Sequence, residues 1–449
     1  MGGMGRSADA QDWPTFDYTP SRTGVNPNAT GITAANVKSL GLRKVQLDGT
    51  VDSSPIYVNG LLVVTTTYGK TEAIDPSSGA VKWRFTPPGY SSWAGTAQIT
   101  TATPVEDPGG AYVYAASPAG RIYKLSAKNG HAVWSVSITK LPSREKIASA
   151  LNFARGHVIA TTGGYIGDAP PYQGHVAIVD AASGRLLHVW NSLCSDRRGL
   201  IVPSSCQASD SAIWGRAGAV VDPTSGDLLV ATGNAPWDGR TNWGDATLRL
   251  DPDATRLVGN YTPTNTAELN SSDADLGSTS PVVLDSGHLA QGGKDGKIRV
   301  LSVARMRGAS PHQGGELQVV STPSGTDLFT APAVWHNGAT QAWRWSGGSL
   351  HSAWRRATGG TSPLLAGGLL WVYSPGGGLN VYRPTTGALV TTLPCGGGHW
   401  NSPIVVDGHV ALPEGNANDH ATSGVLDRYE EREGAGAESP HEPRKADAQ

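Results

Sequence analysis

The sequence has little charge, few cysteines and no long apolar run, and each shortage excludes a class of protein. Only 16% of the 449 residues are charged and the net charge is −2, so no basic field exists for nucleic acid or an anionic membrane. No apolar run approaches the ~18–20 residues of a transmembrane helix. The start, Met1-Gly-Gly-Met-Gly-Arg-Ser, lacks the apolar segment of a signal peptide. We therefore expect a chain without a membrane span.

The three cysteines argue for an oxidising compartment. Cys194 and Cys206 lie in one short polar loop that a disulfide could close, the alternative being two free buried thiols. Cys395 has no obvious partner. Because no Cys-x-x-Cys spacing occurs, a zinc site is not expected. A secreted or periplasmic location is the expectation, with no export signal in this chain.

Glycine and proline are abundant instead. The 58 glycines and 30 prolines interrupt the chain every few residues. Long helices cannot form under such interruption, whereas short strands joined by turns can. The sequence predicts an all-β protein.

A repeat organises most of the chain. Each copy has a small residue and proline, a short apolar strand, a glycine turn, an alternating strand, and a last strand after another glycine turn. The clearest copy runs from Ser54-Pro55 to Trp83. The eight copies start at or near Ser54, Thr103, Ala150, Ala219, Ser280, Ala331, Ser362 and Ser402. Only about thirty residues separate the copies near Ala331 and Ser362, so that copy is expected to be incomplete.

Such copies are too small to bury their own apolar faces, but stacking them around an axis buries these faces. We therefore predict a β-propeller of about eight four-stranded antiparallel blades. Turns such as Asp75-Pro-Ser-Ser-Gly79 place glycine where a positive φ is needed. Trp83, Trp134 and Trp190, which follow these turns, are expected to pack between neighbouring blades.

The predicted organisation is one propeller domain with two flanking segments. Residues 1–30 are an N-terminal extension, residues 31–430 form the propeller, and residues 431–449 form a disordered polar tail with little to bury. Within the domain, residues 39–48 are predicted to be an outer strand that closes the ring by joining the last blade.

The unit Ala73-Ile-Asp75-x-x-x-Gly79-x-x-x-Trp83 resembles the tryptophan-docking repeat of the quinoprotein (PQQ-dependent) alcohol dehydrogenases and of related PQQ-like propellers. The likeness covers roughly residues 12–430. It is specific for the fold and weak for activity, because non-enzymatic scaffolds share it, including an outer-membrane assembly lipoprotein.

Two segments in the middle of the chain extend the resemblance. Trp214-Gly-Arg-Ala-Gly, followed by Val230-Ala-Thr-Gly-Asn234, is similar to the family segment that supplies the tryptophan beneath the quinone ring and a metal-binding asparagine. The resemblance implies cofactor stacking for Trp214, and cofactor and Ca²⁺ binding for Asn234. A turn asparagine is the alternative for Asn234.

Two further positions would supply the chemistry. Asp273-Ala-Asp275-Leu-Gly-Ser-Thr-Ser-Pro281 resembles the segment of the catalytic aspartate, which implies that Asp275 is the base and a Ca²⁺ ligand. Gln291-Gly-Gly-Lys294 resembles the segment whose Lys or Arg contacts the quinone oxygens, which implies cofactor binding and charge stabilisation for Lys294. Oxidation of an alcohol needs a proton acceptor and a group that polarises the carbonyl. For Asp275 the alternative is a strand start whose side chains accept hydrogen bonds from turn amides, and for Lys294 the alternative is a hairpin turn.

Three departures from the family pattern favour a different function. The usual Glu metal ligand after a Gly-Gly pair is replaced by Tyr165 after Gly163-Gly164, and Asp168 could substitute for it only if the loop folds back. No two cysteines are adjacent, and no Arg of the second copy is placed to hold a cofactor carboxylate. The segments Cys395-Gly-Gly-Gly-His399-Trp400 and Glu414-Gly-Asn416 could form a second polar site or lie exposed at blade ends.

Two functions stay open on these grounds. The first is a quinoprotein-like oxidoreductase that uses PQQ and Ca²⁺ to oxidise an alcohol or another hydroxylated small molecule or polymer. It would need an external electron acceptor, because no Cys-x-x-Cys-His haem motif is present. The second is a cofactor-free propeller that serves as a binding scaffold for peptide, glycan or cell-envelope partners.

Overall fold

The computed structural model describes residues 11–323, 325, 327–329, 333–334 and 339–431. Within these residues the regular secondary structure is almost entirely β-strand, as the glycine and proline content predicts. The one α-helix, Thr266–Ser271, is joined by 3-10 turns at Val37–Ser39, Tyr90–Ser92, Pro203–Ser205, Leu276–Ser278 and Ala417–Asp419. None of the helices in this part of the chain is long and apolar enough to cross a membrane.

Seven four-stranded antiparallel sheets form the blades, which we number in chain order. Blade 1 consists of Ile56–Val58, Leu61–Thr65, Thr71–Ile74 and Val81–Phe85, and blade 2 of Val105–Glu106, Tyr112–Ser117, Arg121–Ser126 and Ala132–Ser137. Blade 3 consists of Asn152–Ala154, His157–Thr161, His175–Asp180 and Leu186–Asn191, and blade 4 of Val220–Val221, Leu228–Ala231, Thr247–Leu250 and Leu257–Tyr261.

Blades 5 and 6 follow the same order, and blade 7 takes its fourth strand from the start of the chain. Their strands are Val282–Asp285, His288–Gly292, Lys297–Ser302 and Gln318–Ser321; Thr361–Ala366, Leu369–Tyr373, Leu379–Tyr382 and Leu389–Leu393; Ile404–Val406, His409–Glu414, Gly424–Glu431 and Leu40–Leu47.

The predicted ring closure is confirmed. Leu40–Leu47 pairs antiparallel with Gly424–Glu431, in a register that sets Leu40 opposite Glu431 and Leu47 opposite Gly424. The first and last parts of the propeller are therefore held by one continuous ladder of backbone hydrogen bonds.

The prediction of about eight blades is wrong, because the described residues contain seven. The copy that does not correspond to a four-stranded sheet was assigned near Ala331, which itself lies outside the described residues. Around it are two separate two-stranded sheets, Leu328–Phe329 with Ala333–Val334 and Thr340–Ser346 with Ser349–Arg356. Because the four described strands between blades 5 and 6 pair two by two, they do not form one four-stranded blade.

The contact that recurs between neighbouring blades is a tryptophan ring packed against a glycine of the next blade. Trp83 donates from Nε1 to the carbonyl of Ala127 at 2.8 Å, and Trp134 donates to Ala181 at 3.2 Å. Each ring covers a turn glycine of the next blade, Gly130 and Gly184 respectively. Trp190 packs in a core cluster that includes Leu228 of blade 4. The expected packing of these three tryptophans between blades is confirmed.

Residues 11–30, assigned to an extension, cross the ends of the innermost strands. Trp13 and Tyr57 exchange two backbone hydrogen bonds, and Val221 donates to the carbonyl of Pro20. Arg22, which is buried, donates from Nη2 to the carbonyl of Leu151 at 2.9 Å. Asn26 donates its N–H to Leu365. The segment thus spans one end of the central channel. The predicted tail, 431–449, lies outside the described residues apart from Glu431.

Candidate functional site

A cavity of about 310 Å³ lies at the opposite ends of the innermost strands. Several residues that line it occupy the same position in different blades, four residues before the first residue of the innermost strand. In five blades this position holds Asp52, Thr101, Ala148, Arg216 and Trp400. The propeller repeat therefore directs side chains that are remote in sequence towards one space.

The four residues singled out from the sequence all line this cavity. They are Trp214, Asn234, Asp275 and Lys294, and Asp273 lines it as well. Asn234 follows the second strand of blade 4, and Lys294 lies in the turn after the second strand of blade 5. Their placement together is a structural fact, whereas their roles stay predictions.

Asp275 is the centre of the first polar cluster, which we define as Asp273, Asp275, Lys294 and Asn234. Lys294 Nζ lies 2.7 Å from Asp275 Oδ2 and 3.1 Å from Asp273 Oδ1. The backbone N–H of Asn234 donates to Asp275 Oδ1 at 2.6 Å. Both oxygens of the buried Asp275 carboxylate therefore have a donor.

Burial has the largest single effect on the pKa values of Asp275 and Lys294. Burial raises the pKa of Asp275, and the charge of Lys294 only partly opposes the increase. Burial alone would lower the pKa of Lys294, but Asp275 and Asp273 raise it above its usual value. Asp275 can therefore act as a proton acceptor while the neighbouring Lys294 keeps its positive charge.

Asp245, which sequence reasoning did not single out, lies behind this cluster. It is fully buried, and its Oδ1 accepts the N–H of Leu276 at 3.0 Å while Oδ2 has no hydrogen-bond partner within the described ranges. Burial raises its pKa to about 8, and the charge of Asp275 adds to the increase. Burial therefore favours the protonated form of Asp245, and of these two carboxyl groups Asp275 is the one that lines the cavity.

Asp52 is the centre of a second cluster, defined as Asp52, Arg216 and His399. Arg216 Nη2 lies 2.8 Å and His399 Nδ1 2.7 Å from the carboxylate. The N–H groups of Trp400 and Ala417 donate to the same carboxylate at 3.1 and 3.0 Å. Burial alone would raise the pKa of Asp52, but Arg216, His399 and these donors hold it well below its usual range. These contacts therefore favour the charged form of Asp52.

An aromatic wall separates the two clusters. The ring centroids of Trp214 and Trp400 are 5.5 Å apart, and Phe329 stacks on Trp400 at 5.6 Å. Lys294 Nζ lies 5.4 Å from the Trp214 centroid, and Arg216 Cζ lies 4.7 Å from that of Trp400. A flat ligand stacked on this wall would contact a cation on each side.

The residues fit a flat anionic quinone better than they fit a calcium ion. Ca²⁺ takes six to eight oxygen ligands, but both oxygens of Asp275 already accept hydrogen bonds, and Lys294 lies beside one of them. Among the described residues no group of three or more His, Cys, Asp or Glu side chains has a metal-binding arrangement. Asp168, which sequence reasoning considered as a substitute ligand, accepts a hydrogen bond from Tyr172 at 2.7 Å.

Residues in and beside the second cluster share a position in the repeat from which their location could have been predicted. Asp52 and Arg216 were missed, and His399 and Trp400 were considered only for a separate polar site. All but His399 share the repeated position before an innermost strand. Aligning the copies on their first strand would have placed them beside the same channel as Trp214.

The predicted disulfide between Cys194 and Cys206 is confirmed. It lies in the insertion between blades 3 and 4, and Cys206 is buried against Leu193 and Ile201. The bridge is consistent with an extracytoplasmic protein. Cys395 is free.

Comparison with known proteins gives matches of two kinds. A family model described as outer membrane protein assembly factor BamB matches residues 42–226. Quinohemoprotein alcohol dehydrogenase ADH IIB of Pseudomonas putida is 27% identical over 254 residues, 51% of this chain and 36% of that protein. BamB of Burkholderia pseudomallei is 28% identical over 236 residues, 51% of this chain and 57% of that protein.

Among solved structures, quinohemoprotein alcohol dehydrogenase from Comamonas testosteroni has a TM-score of 0.68 at 18% identity. The alignment covers 98% of this chain and 84% of that one. The resemblance to propellers of the PQQ-dependent alcohol dehydrogenase type, predicted from the docking repeat, is confirmed. The matched segment is only about a third of the length of the alcohol dehydrogenases.

Proposed function

We propose that this protein is a quinoprotein-type oxidoreductase that oxidises a hydroxylated substrate in the cavity beside Trp214. The observation that carries the proposal is the convergence of Trp214, Asn234, Asp275 and Lys294 on one cavity, with Lys294 Nζ 2.7 Å from Asp275. Partial sequence similarity to quinohemoprotein alcohol dehydrogenases supports it. A secreted or periplasmic location would suit the disulfide.

Each residue has a role that follows from its surroundings. Trp214 supports the flat face of the cofactor, and Lys294 stabilises negative charge that develops on a cofactor oxygen. Asp275 accepts the hydroxyl proton of the substrate, since its raised pKa makes it a stronger base than an exposed Asp once it is ionised. Asn234 holds Asp275 Oδ1 through its N–H.

When bound, a quinone such as PQQ would accept the two electrons and two protons released when an alcohol becomes a carbonyl compound, and the proton taken up by Asp275 would be one of these two. An external electron acceptor then has to remove those electrons. The cavity volume of about 310 Å³ is at the lower limit of ~300–1,000 Å³ for small-molecule sites, so cofactor and substrate have to be compact. Because the donors around Asp275 do not form a calcium site, no step is assigned to a metal.

The test is Asp275→Asn in protein incubated with PQQ, with and without CaCl₂, and assayed with a primary alcohol and an artificial electron acceptor. The amide keeps the shape of the side chain but cannot take the proton, so turnover should fall by at least ~10²-fold. The absorption spectrum of the bound quinone should be retained. Asp253→Asn, in an outer turn of blade 4, is the matched control and should keep wild-type turnover.

Wild-type protein that fails to bind PQQ under either condition would contradict the proposal. The binding scaffold would then be the better function. A specific observation favours that alternative, namely the match to BamB over a larger share of the relative's length. The loop after Gly163-Gly164 brings Tyr165 and Asp168 to the cavity, and the Asp168 carboxylate already accepts a hydrogen bond from the Tyr172 hydroxyl at 2.7 Å.

A further inference from the structure

Lys146 is the one cation of the cavity lining whose ammonium has no partner among the described residues. Its Nζ has no ion pair within 4.0 Å, whereas Arg216 and Lys294 each have one or two. Asp52 does not compensate Lys146 directly, because Arg216 and His399 already occupy its carboxylate. Lys146 is partly buried, and an ammonium in such a position without a counter-ion favours an incoming anion.

The backbone holds Lys146 in place. Lys146 and Gly163 exchange two backbone hydrogen bonds, at 2.7 and 2.9 Å, which tie the approach to blade 3 to the loop of its second hairpin. Tyr165 in that loop donates its hydroxyl to the carbonyl of Pro142 at 2.8 Å. The lysine therefore projects from a braced segment, which lowers the entropic cost of a contact with a ligand.

We propose that Lys146, with Arg216, forms a carboxylate-binding subsite of this cavity. The subsite rests on the proposed function, because the anion it takes is a carboxylate of the quinone cofactor or of an acidic substrate. Arg216 lines the same cavity, and its guanidinium covers Trp400. Its Nη2 contacts Asp52 and its Nη1 the carbonyl of Thr101, which leaves Nε as the nitrogen without a hydrogen-bond partner among the described residues.

The charges that face Lys146 make binding depend on pH. Burial and, to a smaller extent, the charge of Arg216 lower the pKa of Lys146 to about 7, and Asp52 opposes them. A bound carboxylate adds a negative charge, so it raises this pKa and draws a proton onto the amine. Binding should therefore consume protons at pH values above about 7 and weaken as pH rises.

The experiment measures binding of three probes to the full chain by calorimetry, in two buffers of different ionisation enthalpy at pH 7.5. The probes are PQQ, its trimethyl ester and malate. Lys146→Met should weaken PQQ binding about 10- to 100-fold, the usual worth of a charge-assisted contact, and abolish proton uptake. Lys146→Arg should restore affinity without proton uptake. Lys82→Met, on the outer strand of blade 1, is the charge control and should bind as wild type does.

The outcomes separate the subsite from the proposed function. Loss of PQQ affinity with ester affinity unchanged supports a subsite for the cofactor carboxylate. If PQQ does not bind but malate binding depends on Lys146, the subsite stands and the quinoprotein function fails. If Lys146→Met leaves the affinity and proton uptake of every probe unchanged, or no carboxylate probe binds, the subsite is overturned.

Discussion

At the scale of single residues, Asp52 organises the part of the cavity that the family resemblance did not identify. It accepts hydrogen bonds from Arg216 of blade 4 and from three donors of blade 7, which are the His399 side chain and the backbone N–H groups of Trp400 and Ala417. A buried carboxylate with so many donors keeps its charge, and it fixes the direction in which Arg216 and His399 point. Its role is positioning.

Removing the guanidinium should therefore cost stability. Arg216→Met leaves the fully buried Asp52 carboxylate without its strongest cation, and we expect a loss of about 3 kcal/mol in the free energy of unfolding. Urea denaturation followed by tryptophan fluorescence measures it. Arg43→Met breaks a comparable 2.8 Å pair with Glu430, but the Arg43 side chain is 60% exposed, so its loss should be about 0–1 kcal/mol. Equal losses would show that Asp52 does not depend on Arg216.

The contrast between Asp275 and Asp52 shows what the sequence could reveal about the site. Asp275 and Lys294 were found because each lies in a short local motif that resembles a known segment. The Asp52–Arg216 pair joins residues 164 positions apart. Nothing in either local sequence indicates the other, because their contact arises only when blades 1 and 4 face each other across the channel.

At the scale of elements, the contact between a tryptophan and the next blade's turn sets the spacing of blades. Gly130 has a φ of +71°, and a Cβ there would lie 2.5 Å from Trp83 Cε3. The glycine is needed for its backbone conformation and also for the space that the indole ring occupies. These two requirements can be separated by mutation.

Gly130→Ala should destabilise the protein by about 2–5 kcal/mol, because left-handed strain and overpacking against Trp83 add together. Gly60→Ala is the matched control, since Gly60 has a φ of +81° but nothing within 4 Å of a new Cβ. It should cost only about 1–2 kcal/mol. Thermal unfolding of the two variants gives the comparison, and similar melting temperatures would argue against a docking role for this contact.

The repeat predicted the type of each element better than their number. The starts at Ser54 and Ser402 mark blades because a complete set of four strands follows each of them, the last blade with help from Leu40–Leu47. The start near Ala331 has the same small residue and proline, but the described strands around it pair only two by two. A local start motif therefore does not guarantee a blade, since completion depends on which partner strands pair with it.

At the scale of the whole molecule, the N-terminal residues close the ring twice. Residues 11–30 cross the channel end opposite the cavity. Leu40–Leu47 then completes blade 7. At this junction Lys44 Nζ lies 2.6 Å from Glu414 Oε1 and 3.4 Å from Asp427 Oδ1, which joins three strands of the blade through one ammonium.

This junction should make ring closure depend on pH. Burial raises the pKa of Asp427 to about 7, and the neighbouring Glu414 contributes to the increase. An Asp in the unfolded chain titrates near 4. Between about pH 4 and 7 the folded protein therefore holds a proton that the unfolded chain has released, so stability falls as pH rises through this window and changes no further above it.

Asp427→Asn keeps the side chain neutral at every pH and should remove this dependence. We expect the variant to be about as stable as wild type at pH 4.5 and more stable at pH 8, by on the order of 1–2 kcal/mol. Lys44→Met should have the opposite effect, because Asp427 loses the one cation that favours its ionised form. Chemical denaturation at the two pH values measures both variants. A variant Asp427→Asn whose stability relative to wild type is the same at both pH values would show that the junction carboxyl is ionised throughout, and ring closure would then be insensitive to protons.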